Sequence, residues 1–212
     1  MSLDSLYKID GKKIFVAGHS GLLGSSICRR LERENVTILS VNHSELDLTQ
    51  QSKVILWMDK NRPDVVINAA GKVGGIYANN TYPADFIYQN LAIAQNLIHS
   101  AHLCDVEKLV MLGSSCSYPL MAPQPIHESS LMDGKPEPTN QWYTVAKIAG
   151  IKLCEAYRRQ YGHDYISILP ANLYGPGDSF DYQNSHVIPG LIRRFHDAKN
   201  ANNSSEVIWW TG

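Results

Sequence analysis

Tyr143 and Lys147 stand four residues apart in the run Tyr143-Thr144-Val145-Ala146-Lys147. That spacing puts a phenol and an ammonium on one face of a helix. A cation beside a phenol favours phenolate and lowers its pKa, which makes the pair a candidate acid/base near neutral pH. Taken alone, a Tyr-x-x-x-Lys run is common on amphipathic helices. A second candidate is Leu112-Gly113-Ser114-Ser115-Cys116-Ser117-Tyr118-Pro119, where two hydroxyls and a thiol end an apolar run. Ser114 or Ser115 is placed to hydrogen-bond a substrate oxygen that the tyrosine protonates. Free cysteines are mostly small buried hydrophobes, but a thiol whose pKa a cation pulls down becomes a proton acceptor.

The third candidate is Gly18-His19-Ser20-Gly21-Leu22-Leu23-Gly24. Glycines at this spacing let a chain turn tightly and approach a pyrophosphate, while the N–H groups opening the next helix face the anion. Tight turns between strand and helix also occur without a ligand. Its place after the first strand favours dinucleotide binding, and Lys147 is then in reach of the cofactor ribose.

These residues need elements to hold them. Lys13-Ile14-Phe15-Val16-Ala17 reads as a buried strand ending at Gly18, and Leu22 to Glu34 as a helix with Leu23, Ile27 and Leu31 on one face. Val36 to Val41 is a second strand, Ser52 to Lys60 a helix stopped by Pro63, and Val65-Val66-Ile67 a third strand. Pro83 to His102 is a long helix, 108–112 a strand, and Tyr118 to Thr139 a proline-rich loop. A helix from about Tyr143 to Tyr161, a strand at Ile166–Leu169, a helix at Val187–Lys199 and a last strand at Val207–Trp210 complete the reading. Alternating strands and helices imply βαβ units, hence an α/β doubly wound parallel sheet, a Rossmann fold. Ending just after an apolar strand suggests a fragment.

Bulk composition narrows the class. Of 212 residues, 44% are apolar and 18% charged, a globular balance. Nineteen basic against twenty acidic side chains leave a formal charge of -1, so neither a nucleic-acid partner nor an anionic membrane is expected. The four cysteines, Cys28, Cys104, Cys116 and Cys154, show no metal-ligand spacing and read as reduced thiols of a cytoplasmic protein. No apolar run approaches membrane-spanning length.

A strand serine, a Tyr-x-x-x-Lys helix and a GxxGxxG first turn together resemble the extended, nucleotide-sugar-modifying branch of the short-chain dehydrogenase/reductases. The Ser114–Pro119 run, Lys72 to Pro83, Asn172-Leu173-Tyr174-Gly175-Pro176 and Asn184-Ser185-His186-Val187-Ile188-Pro189 look like the GDP-L-fucose synthase family within it. That resemblance implies C3/C5 epimerisation and NADPH-dependent C4 reduction of a GDP-4-keto-6-deoxy-D-mannose. A related GDP-deoxyhexose or heptose enzyme performing part of this sequence is the alternative.

By motif, the resemblance implies Cys116 as base and His186 as opposing acid, Tyr143 with Lys147 as the reductive acid, and Ser114 as the group holding the oxygen. It implies cofactor contacts at Gly18, Gly21, Leu22, Leu23, Gly24, Asp47, Ala69, Ala70, Tyr143, Lys147, Pro170, Asn172 and Leu173. Asp47 suits either the adenine amino group or a turn cap. Asn172 and Arg194 are implied for substrate, Arg194 at the diphosphate or else on an exposed helix face. No metal is implied, and a homodimer through Phe86–Ile98 and Lys147–Tyr161 is. The family's arginines for a 2′-phosphate are replaced by Ser20 and Asn42-His43, so NADP is expected with NAD possible. Residues 1–180 are expected to bind the cofactor and 181–212 to begin a substrate-binding region.

Overall fold

The computed structural model describes residues 7–182 and 185–208. Five parallel strands form one sheet in the order β2-β1-β3-β4-β5. They are β1 (Lys13–Ala17), β2 (Thr37–Leu39), β3 (Val65–Asn68), β4 (Lys108–Leu112) and β5 (Asp164–Ile168). The helices are α1 (Leu22–Leu31), α2 (Gln51–Asn61), α3 (Ile76–Thr81), α4 (Pro83–Leu103), α5 (Gln141–Tyr161) and α6 (Val187–Asn200). The chain runs outward from β1 to β2, then returns to place β3 on the other side of β1. That reversal creates a crevice at the carboxyl ends of β1 and β3, the usual ligand position in an open α/β sheet.

The central strands β1, β3 and β4 are short and apolar because both faces are covered. Phe15 and Ala17 point to one core with Val54 and Met58 of α2, Leu97, Ile98 and Ala101 of α4, and Cys154 of α5. Ile14 and Val16 point to the other face, which Leu31, Ile27 and Cys28 of α1 help to cover. Burying a large aliphatic or aromatic side chain of this kind contributes about 1.5–3 kcal/mol.

Punctuation residues set the helix ends. Pro83 sits at the first turn of α4, where its missing N–H costs nothing. Gly162 closes α5 in the left-handed region at φ 75°. Arg62, at φ 49°, ends α2 just before Pro63.

Three sequence expectations are corrected. Residues 76–81, read as part of a motif rather than as an element, form α3; Asn79 Nδ2 donates to the carbonyls of Gly74 and Gly75 and secures its first turn. Strand β5 starts at Asp164, not Ile166, because Asp164 pairs in register with Lys108 and meets its ammonium at 2.5 Å. Val207 and Ile208 are exposed and belong to no strand; an apolar run becomes a strand only where a partner accepts its backbone hydrogen bonds. Trp209 and Trp210 lie outside the described residues. Among the described residues, no helix is long and apolar enough to cross a membrane.

Candidate active site

The carboxyl edge of the sheet gathers most of the candidate residues. Gly18 follows β1 with φ +80°, and a Cβ there would lie 2.7 Å from the Ala70 backbone. The two strand ends at the reversal thus touch, with Ala69 and Ala70 beside the glycine turn. At Gly24 a Cβ would come within 2.0 Å of the Gly18 carbonyl oxygen, so glycine lets α1 fold back on the turn. Gly21 is different: it is exposed, with only the Gly18 carbonyl near its Cβ position at 3.5 Å.

Helix α1 opens at Leu22 and Leu23 with no side-chain cap and no acidic residue in its first turn. Unsatisfied N–H groups and the positive end of the helix dipole therefore suit a pyrophosphate. Asn42, His43 and Ser44 are exposed beyond β2. Asp47 accepts from the backbone N–H and hydroxyl of Thr49 at 2.9 and 2.7 Å. These bonds hold its carboxyl below the usual range. Of the two roles open to it in the sequence, the structure supplies the turn cap.

The chemical cluster forms where β4 ends beside α5. Ser114 leaves the strand extended, and its Oγ accepts from the Cys116 N–H at 3.3 Å. Residues Ser115–Ser117 make one 3-10 turn, anchored by the Ser115 N–H to the Pro170 carbonyl at 3.1 Å. The Ser114 hydroxyl and Cys116 both lie near enough to the Tyr143 phenol to act on its pKa. Phe86 of α4 packs edge-on to the Tyr143 ring at 6.5 Å.

Lys147 is buried, 5.5 Å from the Tyr143 ring centroid, with Nζ donating to the Leu112 carbonyl at 3.0 Å. From the end of β3, Gly71 closes this side: a Cβ there would lie 3.6 Å from Lys147 Nζ and 2.6 Å from Asn90 Oδ1. Asn90 Nδ2 donates to the Lys72 carbonyl at 3.0 Å and holds that loop.

The expected pKa of Tyr143 is reversed. Burial, then the charge of Cys116, pushes the phenol up to about 12, against a smaller opposing effect of the nearby Ser114 hydroxyl. Burial alone pushes Lys147 down to about 8. Sharing a helix face brought the two together; sharing a dry environment made each resist its charged form.

The remaining candidates lie beyond β5 and on α6. Asn172 and Leu173 are exposed in the loop after Pro170. His186 is exposed as the N-cap residue of α6, and among the described residues no hydrogen bond or ring contact joins it to Cys116. Arg194 is not on an exposed face: it is buried, with its guanidinium 3.4 Å from the Tyr182 carbonyl and 3.8 Å from Glu206. Two residues escaped the sequence reading. Thr144 and Asn140 carry no motif of their own, yet Thr144 Oγ1 lies 3.1 Å from the Cys116 carbonyl and 3.2 Å from Asn140 Oδ1.

The profile of the NAD dependent epimerase/dehydratase family matches residues 14–212. The chain belongs to that family. Among epimerase/dehydratase relatives, GDP-L-fucose synthase 1 of Arabidopsis thaliana is 58% identical over 201 residues, 94% of this chain and 62% of that protein. The chain therefore spans less than two thirds of that relative's length. A GDP-6-OMe-4-keto-L-xylo-heptose reductase from Campylobacter jejuni superposes with a TM-score of 0.88 at 37% identity, over 94% of this chain and 57% of that one. A GDP-L-fucose synthetase from Naegleria fowleri bound to NADP superposes with a TM-score of 0.84 at 27% identity, over 97% and 67%.

Proposed function

We propose that the protein converts GDP-4-keto-6-deoxy-D-mannose to GDP-L-fucose, inverting C3 and C5 and then reducing C4 with NADPH. The observation that carries this reading is the convergence of Ser114, Cys116, Tyr143 and Lys147 at the carboxyl end of β4, beside the glycine turn. The likeness to GDP-L-fucose synthases supports the substrate.

Protons next to a ketone are removable because the resulting anion is delocalised onto the carbonyl oxygen. Cys116 removes such a proton and His186 donates from the opposite face; inversion requires both. Ser114 holds the C4 oxygen. Tyr143, protonated at neutral pH because burial raises its pKa to about 12, stabilises the enolate oxygen and later gives its proton to the C4 alkoxide. Lys147, lowered to about 8, orients the cofactor ribose.

Bound NADPH supplies the hydride. Gly18, Gly21, Leu22, Leu23 and Gly24 would hold its pyrophosphate, with Ala69, Ala70, Pro170, Asn172 and Leu173 along the path to the nicotinamide. Asn172 and Arg194 would also serve the sugar nucleotide. Residues 1–180 form the cofactor-binding part, and 181–212 begin the substrate-binding region. The protein works in the cytoplasm as a homodimer paired through α4 and α5, which sedimentation tests.

A second reading, a GDP-sugar reductase without epimerisation, rests on the likeness to the heptose reductase. Incubation with GDP-4-keto-6-deoxymannose and NADPH in deuterated water separates the two. Deuterium at C3 and C5 with a fucose product supports the first reading; reduction without exchange supports the second. Cys116→Ser should slow exchange about a hundredfold. Full exchange in that variant would remove the cysteine from the mechanism.

A further inference from the structure

We propose that Thr144 is a positioning residue that sets where the Cys116 thiol stands relative to the Tyr143 phenol. Cys116 sits on a single 3-10 turn, an element too short to hold its own orientation. Of its two peptide groups, one is held by the turn's own cap and the other from outside, by α5. The N–H on one side meets Ser114 Oγ at 3.3 Å, and the carbonyl on the other accepts from Thr144 Oγ1 at 3.1 Å. Thr144 is fully buried and belongs to the same turn of α5 as Tyr143. A shift of that turn therefore carries the thiol's anchor and the phenol together. Only Thr144 makes a side-chain hydrogen bond to the thiol's turn from α5 among the described residues.

The chemistry of the contact is specific. A threonine hydroxyl carries one proton, which the Cys116 carbonyl and Asn140 Oδ1, at 3.1 and 3.2 Å, compete for. Asn140 turned about its amide would donate to Thr144, freeing that proton for Cys116 and completing a chain from the start of α5 to the thiol's turn. Valine matches threonine in shape and lacks the hydroxyl. Serine keeps the hydroxyl and loses only a methyl.

The test follows the thiol directly. Alkylation of Cys116 by iodoacetamide is read by peptide mass spectrometry from about pH 6 to about pH 10, where thiolate formation controls the rate. Thr144→Val is expected to change the Cys116 rate about threefold or more and to move its pH profile, while Cys28, on the far side of the sheet, keeps its own rate. Thr144→Ser is expected to restore the wild-type profile. A Thr144→Val profile at Cys116 that matches wild type overturns the proposal, and so does an equal change at Cys28, which would mean general loosening. The role in catalysis rests on the proposed function. Thr144→Val should also slow deuterium exchange into the keto sugar, with Thr144→Ser recovering it. Absence of exchange in the wild type would defeat that function while the alkylation result still decides the positioning.

Discussion

Tyr143 and Lys147 lie one turn apart on α5, with the ammonium 5.5 Å from the ring centroid, and burial moves their proton affinities in opposite directions. Each is held toward its neutral form, and among the described residues no carboxylate pairs with Lys147, whose Nζ donates to the Leu112 carbonyl. Keeping the pair dry comes at a cost in stability.

That cost is measurable. Lys147 is lowered from 10.5 to about 8, so between those pH values the unfolded chain binds a proton that the folded chain does not. Stability then rises with pH across that window, and below about 8 the full penalty, roughly 3 kcal/mol, is present. Lys147→Met forfeits one hydrogen bond worth about 1 kcal/mol. It should raise the melting temperature by about 4–8 °C at neutral pH, with the advantage gone by about pH 10, while abolishing reduction. Parallel thermal melts of both proteins across pH check this.

The glycine turn separates folding from binding. Gly24→Ala drives a Cβ to 2.0 Å from the Gly18 carbonyl oxygen, backbone against backbone, and should cost about 3 kcal/mol or more. Gly21→Ala meets only an ordinary contact and should change stability by less than about 1 kcal/mol. It should still weaken NADPH binding about tenfold by keeping the pyrophosphate off the backbone. Denaturant melts and fluorescence titration of the two variants distinguish the roles.

His43 stands 86% exposed beyond β2, with only a 3.8 Å approach to Asp47. Replacing it with arginine should supply the charge that a 2′-phosphate lacks there. We expect His43→Arg to tighten NADPH binding about tenfold and leave NADH unchanged. The gain should shrink as salt rises, because the site is exposed.

At the opposite edge of the sheet, His102 Nδ1 and His163 Nε2 lie 2.7 Å apart. His99 of α4, Tyr157 and Tyr161 of α5, Tyr165 of β5 and Asp105 surround them. Burial, then the neighbouring His102, lowers the pKa of His163. The unfolded chain therefore takes up this proton near 6.5 while the folded chain still resists it. The stabilisation is complete above that pH and is lost as pH falls below it. His163→Gln should flatten the decline in melting temperature between about pH 7.5 and about pH 5.5. A wild-type decline unchanged in the variant would assign the acid sensitivity elsewhere.

Much of the fold was legible in the sequence because its signals are local. β1 and β4 fall where the apolar runs place them, Pro83 opens α4, and the alternation of elements implies the parallel sheet. Tyr143 and Lys147 share a face because four residues make about one helical turn, a fact independent of the rest of the chain. The glycine spacing likewise announced the turn after β1. Tertiary structure alone decided what depends on distant neighbours. Burial reversed the expected pKa of Tyr143, and β5 began at Asp164 because Lys108 lies opposite. Arg194 turned inward to Tyr182 and Glu206, while Thr144 met the Cys116 carbonyl from 28 residues away. Periodicity and spacing act along the chain; desolvation and hydrogen bonding act through space, and only the packed molecule determines who the partners are.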